Sequence, residues 1–253
     1  MAAQNDKEIE LCKKRYMELA NVTYYKGYAT FTDFLSLSEQ SAFFEIVQQL
    51  PDISYIFWGG TELAERKILC FYTEQFLIEQ FPISILQITP SNIKFSENLT
   101  HRDYLGAIMN LGIERCKIGD IMINDNSAYV FVDTNMKDYI ANSLEKVKHT
   151  NVKCIETELQ ITLEPKYKEV CGSVSSVRLD SVIALAFQSS RSSMLSMISG
   201  GKVFVNGRMI TSNSYRLNEG DIVSVRGKGK FIYQEEKSLT KKGKIKIVLK
   251  KYV

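Results

Sequence analysis

Residues that break or cross-link a chain are scarce. Four prolines and fourteen glycines in 253 residues are too few for a long disordered tract. The five cysteines (Cys12, Cys70, Cys116, Cys154 and Cys171) are odd in number, and no two form Cys-x-x-Cys. Neither a disulfide framework nor structural zinc is therefore expected. Two well-separated histidines, His101 and His149, make no metal site. No apolar run approaches the ~18 residues of a membrane helix. The start, "MAAQNDKEIELCKKRYMEL", is charged and has no apolar core, so it does not read as a secretory leader. A cytoplasmic protein without a membrane partner is the expectation.

What is present is an uneven distribution of charge. From Val174 onward there are 15 Lys+Arg against 5 Asp+Glu, a net of +10, and the first 173 residues carry 17 against 24, a net of −7. Such a lopsided chain points to a polyanion as partner of its C-terminal third.

The apolar spacing implies an α+β protein with three parts. Residues 1–75 read as a small α/β unit. "KEIELCKKRYMELA" (7–20) and "SLSEQSAFFEIVQQLP" (36–51) have helical spacing, and the second opens with the capping box Ser36-x-x-Glu39. "ISYIFWGG" and "RKILCFY" read as two strands about Gly59-Gly60. Residues 76–165 run β-α-β-β-α-β, the split pattern of ferredoxin-like folds, to which the RNA recognition motif (RRM) belongs. In "SAYVFV", alternation puts Tyr129 and Phe131 on one face and Val130 and Val132 on the other. If the valines meet the helices, the two aromatics lie on the other face, where an RRM stacks bases or where the first domain or a loop covers them. The glycine-rich RNP1 pattern is absent. Arg102, Arg115 and Lys117 are further candidate RNA contacts in this domain. "EPKYKEVCGSVSS" (164–176) reads as a linker.

Residues 174–253 form the basic part. Leu179, Val182, Ile183, Ala186 and Phe187 mark a first helix. Ser190 is placed to cap a second, starting at Arg191, with Met194, Leu195 and Ile198 inward and Gly200-Gly201 at its end. "KVFV", the Asn206-Gly207 turn, Gly220-Asp221 and Ile222, Val223 and Val225 supply strands and turns. The tail "KKGKIKIVLKKY" alternates apolar residues with lysines. It reads as a strand with one basic face, of the kind that also protects a sheet edge. Helix starts carry partial positive charge and N–H donors that suit phosphate. Arg178, Ser190, Arg191, Ser192, Ser193, Lys202, Asn206, Arg208, Arg226, Lys228 and Lys230 are the candidate RNA-binding residues. Contacts of this kind position RNA by shape more than they read its sequence.

Several elements of this part resemble the S4 RNA-binding domain. They are Arg178-Leu179-Asp180, Ser190-Arg191-Ser192, Gly201-x-Val203-x-Val205-Asn206-Gly207 and Gly220-Asp221-x-Val223-x-Val225-Arg226. Ser192-Ser193-Met194 is less basic than is usual at that helix start. With "LTHRDYLGAIMNLGIERCKIGDI" (99–121) and the ending "VSVRGKGKF", the chain resembles the YlmH family of bacterial S4 proteins over nearly its whole length. That resemblance implies binding to 23S rRNA and tRNA on stalled large (50S) ribosomal subunits. It also implies help with C-terminal tailing in ribosome-associated quality control, beside a tailing factor. A monomer without cofactor is expected.

The tripeptide Arg178-Leu179-Asp180 raises an alternative, because pseudouridine synthases carry a catalytic Asp in such a sequence. They follow it with Thr-x-Gly-Leu on a strand-to-loop segment. Here Ser181-Val182-Ile183-Ala184-Leu185 follows at helical spacing, so Asp180 is expected in the first turn of a helix, without chemistry. Rossmann glycines, synthetase motifs and kinase elements around His101-Arg102-Asp103 are missing too. A non-enzymatic RNA-binding factor is the leading expectation. A cell-division scaffold and an RNA-modifying enzyme stand behind it.

Overall fold

Each half of the chain builds its own apolar interior, giving two units, residues 1–162 and 163–253. The computed structural model describes residues 2–62, 64–74, 77–92, 96–158, 167–240 and 243–252.

In the first unit, helix α1 (Ala2–Lys26) extends well beyond the expected 7–20 at both ends. Strand β1 (Thr30–Leu35) follows, and was not expected. Its register shifts between Phe31 and Phe34, which hides the period-two signature. Helix α2 (Leu37–Ile46) opens with the predicted capping box: Glu39 accepts the Ser36 N–H at 2.6 Å and Ser36 accepts the Glu39 N–H. Strands β2 (Ser54–Trp58) and β3 (Lys67–Tyr72) complete an antiparallel sheet of order β1-β3-β2. One face of this sheet, with Leu35, Leu69 and Phe71, packs on Tyr16, Leu19 and Phe43 of the two helices.

The central elements have the predicted order. They are β4 (Ile83–Pro90), α3 (His101–Met109), β5 (Ile118–Asn124), β6 (Ser127–Asp133), α4 (Lys137–Ser143), a short β7 (Lys146–Val147) and β8 (Thr150–Glu156). They form a sheet of order β5-β6-β4-β8-β7. Residues 159–163 of the expected last strand lie outside the described residues. Val130, Val132, Leu86 and Ile88 meet Tyr104, Ile108 and Ile140 of the helices. Tyr129 and Phe131 therefore face the other way.

That other face is not open to solvent. Phe131 is fully buried and packs with Phe34, Ile68, Cys70 and Phe81 beneath the first sheet. The unit is thus layered helix, sheet, sheet, helix. Two glycines allow the approach. A Cβ on Gly60 would come within 2.2 Å of the Phe131 ring, and one on Gly119 within 2.6 Å of Phe34. Hydrogen bonds seal the rim. The Arg66 side chain donates to the carbonyls of Phe34 at 2.6 Å and Ile118 at 3.0 Å. The Asp120 carboxylate accepts the N–H groups of Glu65 at 2.6 Å and Arg66 at 3.1 Å. Lys117 bridges Asp33 at 2.6 Å and Asp133 at 3.0 Å.

The second unit comprises β9 (Tyr167–Val174), α5 (Leu179–Ala186), α6 (Arg191–Ser199), β10 (Val203–Val205), β11 (Arg208–Met209), β12 (Ile222–Val225), β13 (Gly229–Leu239) and β14 (Ile245–Tyr252). The strands form one sheet, β11-β10-β12-β13-β14-β9. Leu179, Val182, Ile183, Met194 and Ile198 of the helices pack on Val203, Val223, Phe231 and Leu249. Two expectations are corrected. The segment read as a linker contains β9, paired with β14 from Tyr167↔Tyr252 to Val174↔Ile245. Its polar composition reflects an exposed edge. Gly172 is there because Leu185 of α5 presses on it, 2.4 Å from where a Cβ would stand. In turn β14 has neighbours on both sides, so its lysines do not protect an edge.

Among the described residues no helix is long and apolar enough to cross a membrane, and no group of three His, Cys, Asp or Glu is placed to hold a metal ion.

Truncating Phe131 tests the sealed interface. Emptying a fully buried Phe site costs about 3–5 kcal/mol. Phe131→Ala should lower the denaturant midpoint accordingly, while the protein that remains folded binds RNA as wild type does in a fluorescence-anisotropy titration. A base-stacking ring would instead lose affinity on truncation.

Candidate nucleic-acid interface

The site is built on the starts of α5 and α6. Arg178 is the N-cap of α5 and Asp180 lies in its first turn. Ser190 caps α6, its Oγ accepting the Ser193 N–H at 3.2 Å and sharing a hydrogen bond with Ser192 Oγ at 3.1 Å. Thirteen positions apart in sequence, the two arginines meet at one carboxylate. Asp180 Oδ2 accepts from Arg191 Nη2 at 2.5 Å and Oδ1 from Arg178 Nε at 3.3 Å. The carboxylate is buried, with 3% of its side chain exposed. The arginines keep 44% and 55% of theirs in solvent. Burial works against ionisation of Asp180, but the Arg191 and Arg178 guanidinium groups outweigh it and hold its carboxyl below the ordinary range. The carboxylate fixes two guanidinium groups that still present donors outward.

A third arginine, absent from the sequence-derived candidates, lies opposite Arg178 in the backbone. Arg216 forms an antiparallel backbone bridge with Arg178. It lies in a stretch without helical or strand periodicity, so nothing local in the sequence signals its role. The same stretch caps α5: Leu179 N–H donates to Tyr215 O at 2.8 Å and Asp180 N–H to Asn213 O at 3.5 Å. Those amides are therefore engaged within the protein, and phosphate binding at this end falls to side chains.

The other candidates divide. Lys228 reaches the loop between the helices, donating to Ser189 Oγ at 3.3 Å. Lys202 and Arg226 are joined by a backbone hydrogen bond of 2.9 Å, with the Arg226 guanidinium 5.3 Å from the Phe204 ring centre. Arg208 is exposed on the edge strand β11. Two further candidates serve other contacts. Asn206 donates to Asp221 at 2.8 Å and accepts the Ile222 N–H at 2.9 Å, closing the hairpin. Lys230 alternates with the core residue Phe231 and so lies on the sheet face away from the helices, over the Tyr252 ring at 4.6 Å.

In the central domain most candidates are occupied internally. Tyr129 is buried and accepts from Gln87 Nε2 at 3.0 Å. Phe131 is covered by the first sheet. Arg115 donates to the Ile118 and Gly119 carbonyls, and burial, with Arg66 nearby, pushes its guanidinium down to about 10. Lys117 is held in its double ion pair. Only Arg102 of the five is exposed at the surface.

Comparison with known proteins agrees with this architecture. Residues 177–223 match the S4 domain, so the second unit carries an S4 domain. Residues 78–161 match the family described as "Putative RNA-binding domain in YlmH". "Ribosome-associated protein quality control protein P2" of Bacillus subtilis (strain 168) is 28% identical over 235 residues, covering 87% of this chain and 86% of that protein. The solved structure "Cell division protein ylmH from Streptococcus pneumoniae" shares the fold at a TM-score of 0.51 and 22% identity, covering 62% of this chain and 95% of that one.

Replacing Asp180 by Asn separates anchoring from chemistry. The charge-assisted hydrogen bonds contribute about 1–2 kcal/mol of stability. Asp180→Asn should lose that amount in urea unfolding yet still bind RNA. With one neutralising charge gone, the salt dependence should steepen by about one unit of log–log slope. Abolished function in a variant that folds and binds would restore the catalytic reading.

Proposed function

We propose that this protein is a non-enzymatic RNA-binding factor of the large ribosomal subunit. In this reading the second unit grips 23S rRNA and the backbone of a stalled peptidyl-tRNA during C-terminal tailing of the nascent chain. The observation that carries it is the pair Arg178 and Arg191 held on buried Asp180 at the start of α5 and α6. Fixed guanidinium groups with outward donors recognise phosphate bidentately. With its oxygens held by two arginines, Asp180 is poorly disposed to attack a substrate, which supports a role without bond making. The likeness to the Bacillus subtilis quality-control protein supports the ribosome as the place of action. A tailing factor beside the tRNA and a cytoplasmic location follow from the same reading.

The cations of the second unit set the salt response. If about six of them neutralise phosphates, affinity falls with salt at a log–log slope of roughly −4 to −5. Co-sedimentation with purified 50S subunits at low salt tests the proposal. Wild type should pellet with the subunits. Arg191→Glu should lower the bound fraction by about tenfold or more, because one contact is lost and a repulsion is added. Wild type remaining in the supernatant, or a charge reversal without effect, would sink the ribosomal reading.

A further inference from the structure

With its sheet face sealed, the central domain has a surface of another kind on its helical side. A groove of about 540 Å³ runs between α3 and the segment leading from α4 into β7. One wall is Gly106 and Asn110 of α3, the other begins at Ser143, and Arg102, Lys146 and Lys148 stand around it. This unit is acidic as a whole, with 15 Lys+Arg against 22 Asp+Glu in residues 1–162, whereas the groove holds three cations against the two acids Asp103 and Glu145.

Two details indicate a built surface. Lys148 is anchored by Asp103 at 2.9 Å, and Asp103 is itself fixed by the Thr100 N–H at 2.7 Å as the cap of α3. That carboxylate is thereby engaged, which leaves Glu145 as the exposed acid of the lining. Gly106 sits inside α3, where glycine weakens a helix. Neither backbone nor packing requires it: its φ is not positive, and a Cβ there would meet nothing within 4 Å. What the missing side chain provides is an open floor to the groove, as where another backbone must approach closely.

We infer that this groove binds the sugar-phosphate backbone of an RNA segment, with Arg102, Lys146 and Lys148 pairing phosphates across the open floor left by Gly106. Asn110 and Ser143 supply neutral donors and acceptors suited to ribose hydroxyls. The inference rests on the RNA reading of the chain and adds a second contact, on the helical side of the central domain, separate from the arginine cluster of the S4 unit.

Amide NMR shifts of the full-length chain, titrated with a 20-nucleotide RNA hairpin, test it. Resonances of Arg102, Gly106, Asn110 and Lys146 should move, as should those of Arg178 and Arg191. Gly106→Glu, which puts a carboxylate in the floor, should weaken the first set by about tenfold or more and leave the second unchanged. Gly106→Ala fills little of the groove and favours the helix. It should bind within about twofold of wild type and unfold at a higher temperature, which separates loss of binding from loss of fold. Movement confined to the S4 residues would overturn this inference alone. Movement of neither set would overturn the RNA reading with it. Groove shifts caused by a polyglutamate peptide but not by RNA would assign the groove to an acidic protein and overturn the inference.

Discussion

Phe131 projects from the side of the central sheet that carries no helices, and an apolar ring there has to be removed from water. Burying it contributes about 1.5–3 kcal/mol, and the partner that buries it is the sheet of the N-terminal elements. Gly60 and Gly119 let the two sheets close on that ring, and the carbonyls that meet Arg66 compensate a charge that would otherwise be costly to bury. The consequence reaches function. An RRM-like sheet with its aromatics exposed is a platform for bases, whereas one with its aromatics covered is a core. In the proposed function nucleic acid is met elsewhere, on the S4 unit and on the helical side of the central domain.

The S4 unit solves a different problem, that of holding cations close together. Adjacent guanidinium groups repel, and each would rather be surrounded by water. A buried carboxylate between them offsets the repulsion and fixes their direction, and it does so without presenting itself to the ligand. Asp180 is therefore more than a helix-start residue. It anchors Arg178 and Arg191, so that in the proposed function less ordering is left for RNA binding to impose.

Much of this was legible in the sequence, and the gaps have physical causes. Helical spacing marked α5 and α6 because each buries one apolar stripe, and Ser36-x-x-Glu39 announced α2 because capping is local chemistry. Alternation put Val130 and Val132 on one face and Tyr129 and Phe131 on the other, and the structure shows that the valine face meets the helices. What covers Tyr129 and Phe131 is a partner from another part of the chain, which no local pattern encodes. Strand β1 escaped notice because a bulge disrupts its period, and β9 because an edge strand tolerates polar residues and a glycine that α5 requires. Arg216 was missed for the same reason as the covered face: its place beside Arg178 is set by a backbone bridge between distant segments. Asn206 was recognised as part of a turn signal, but its side chain proved to serve the turn itself.

The pairing of β9 with β14 also bears on synthesis. Val174 is paired across the ladder with Ile245, about 70 residues further along the chain. At typical translation rates the earlier strand emerges some 4–14 s before its partner. For that interval it is an unpaired edge, a state in which apolar strands recruit other chains. Lys168, Glu169 and Gly172 make β9 a poor template for such pairing, so the composition that disguised it as a linker also suits a strand that has to wait.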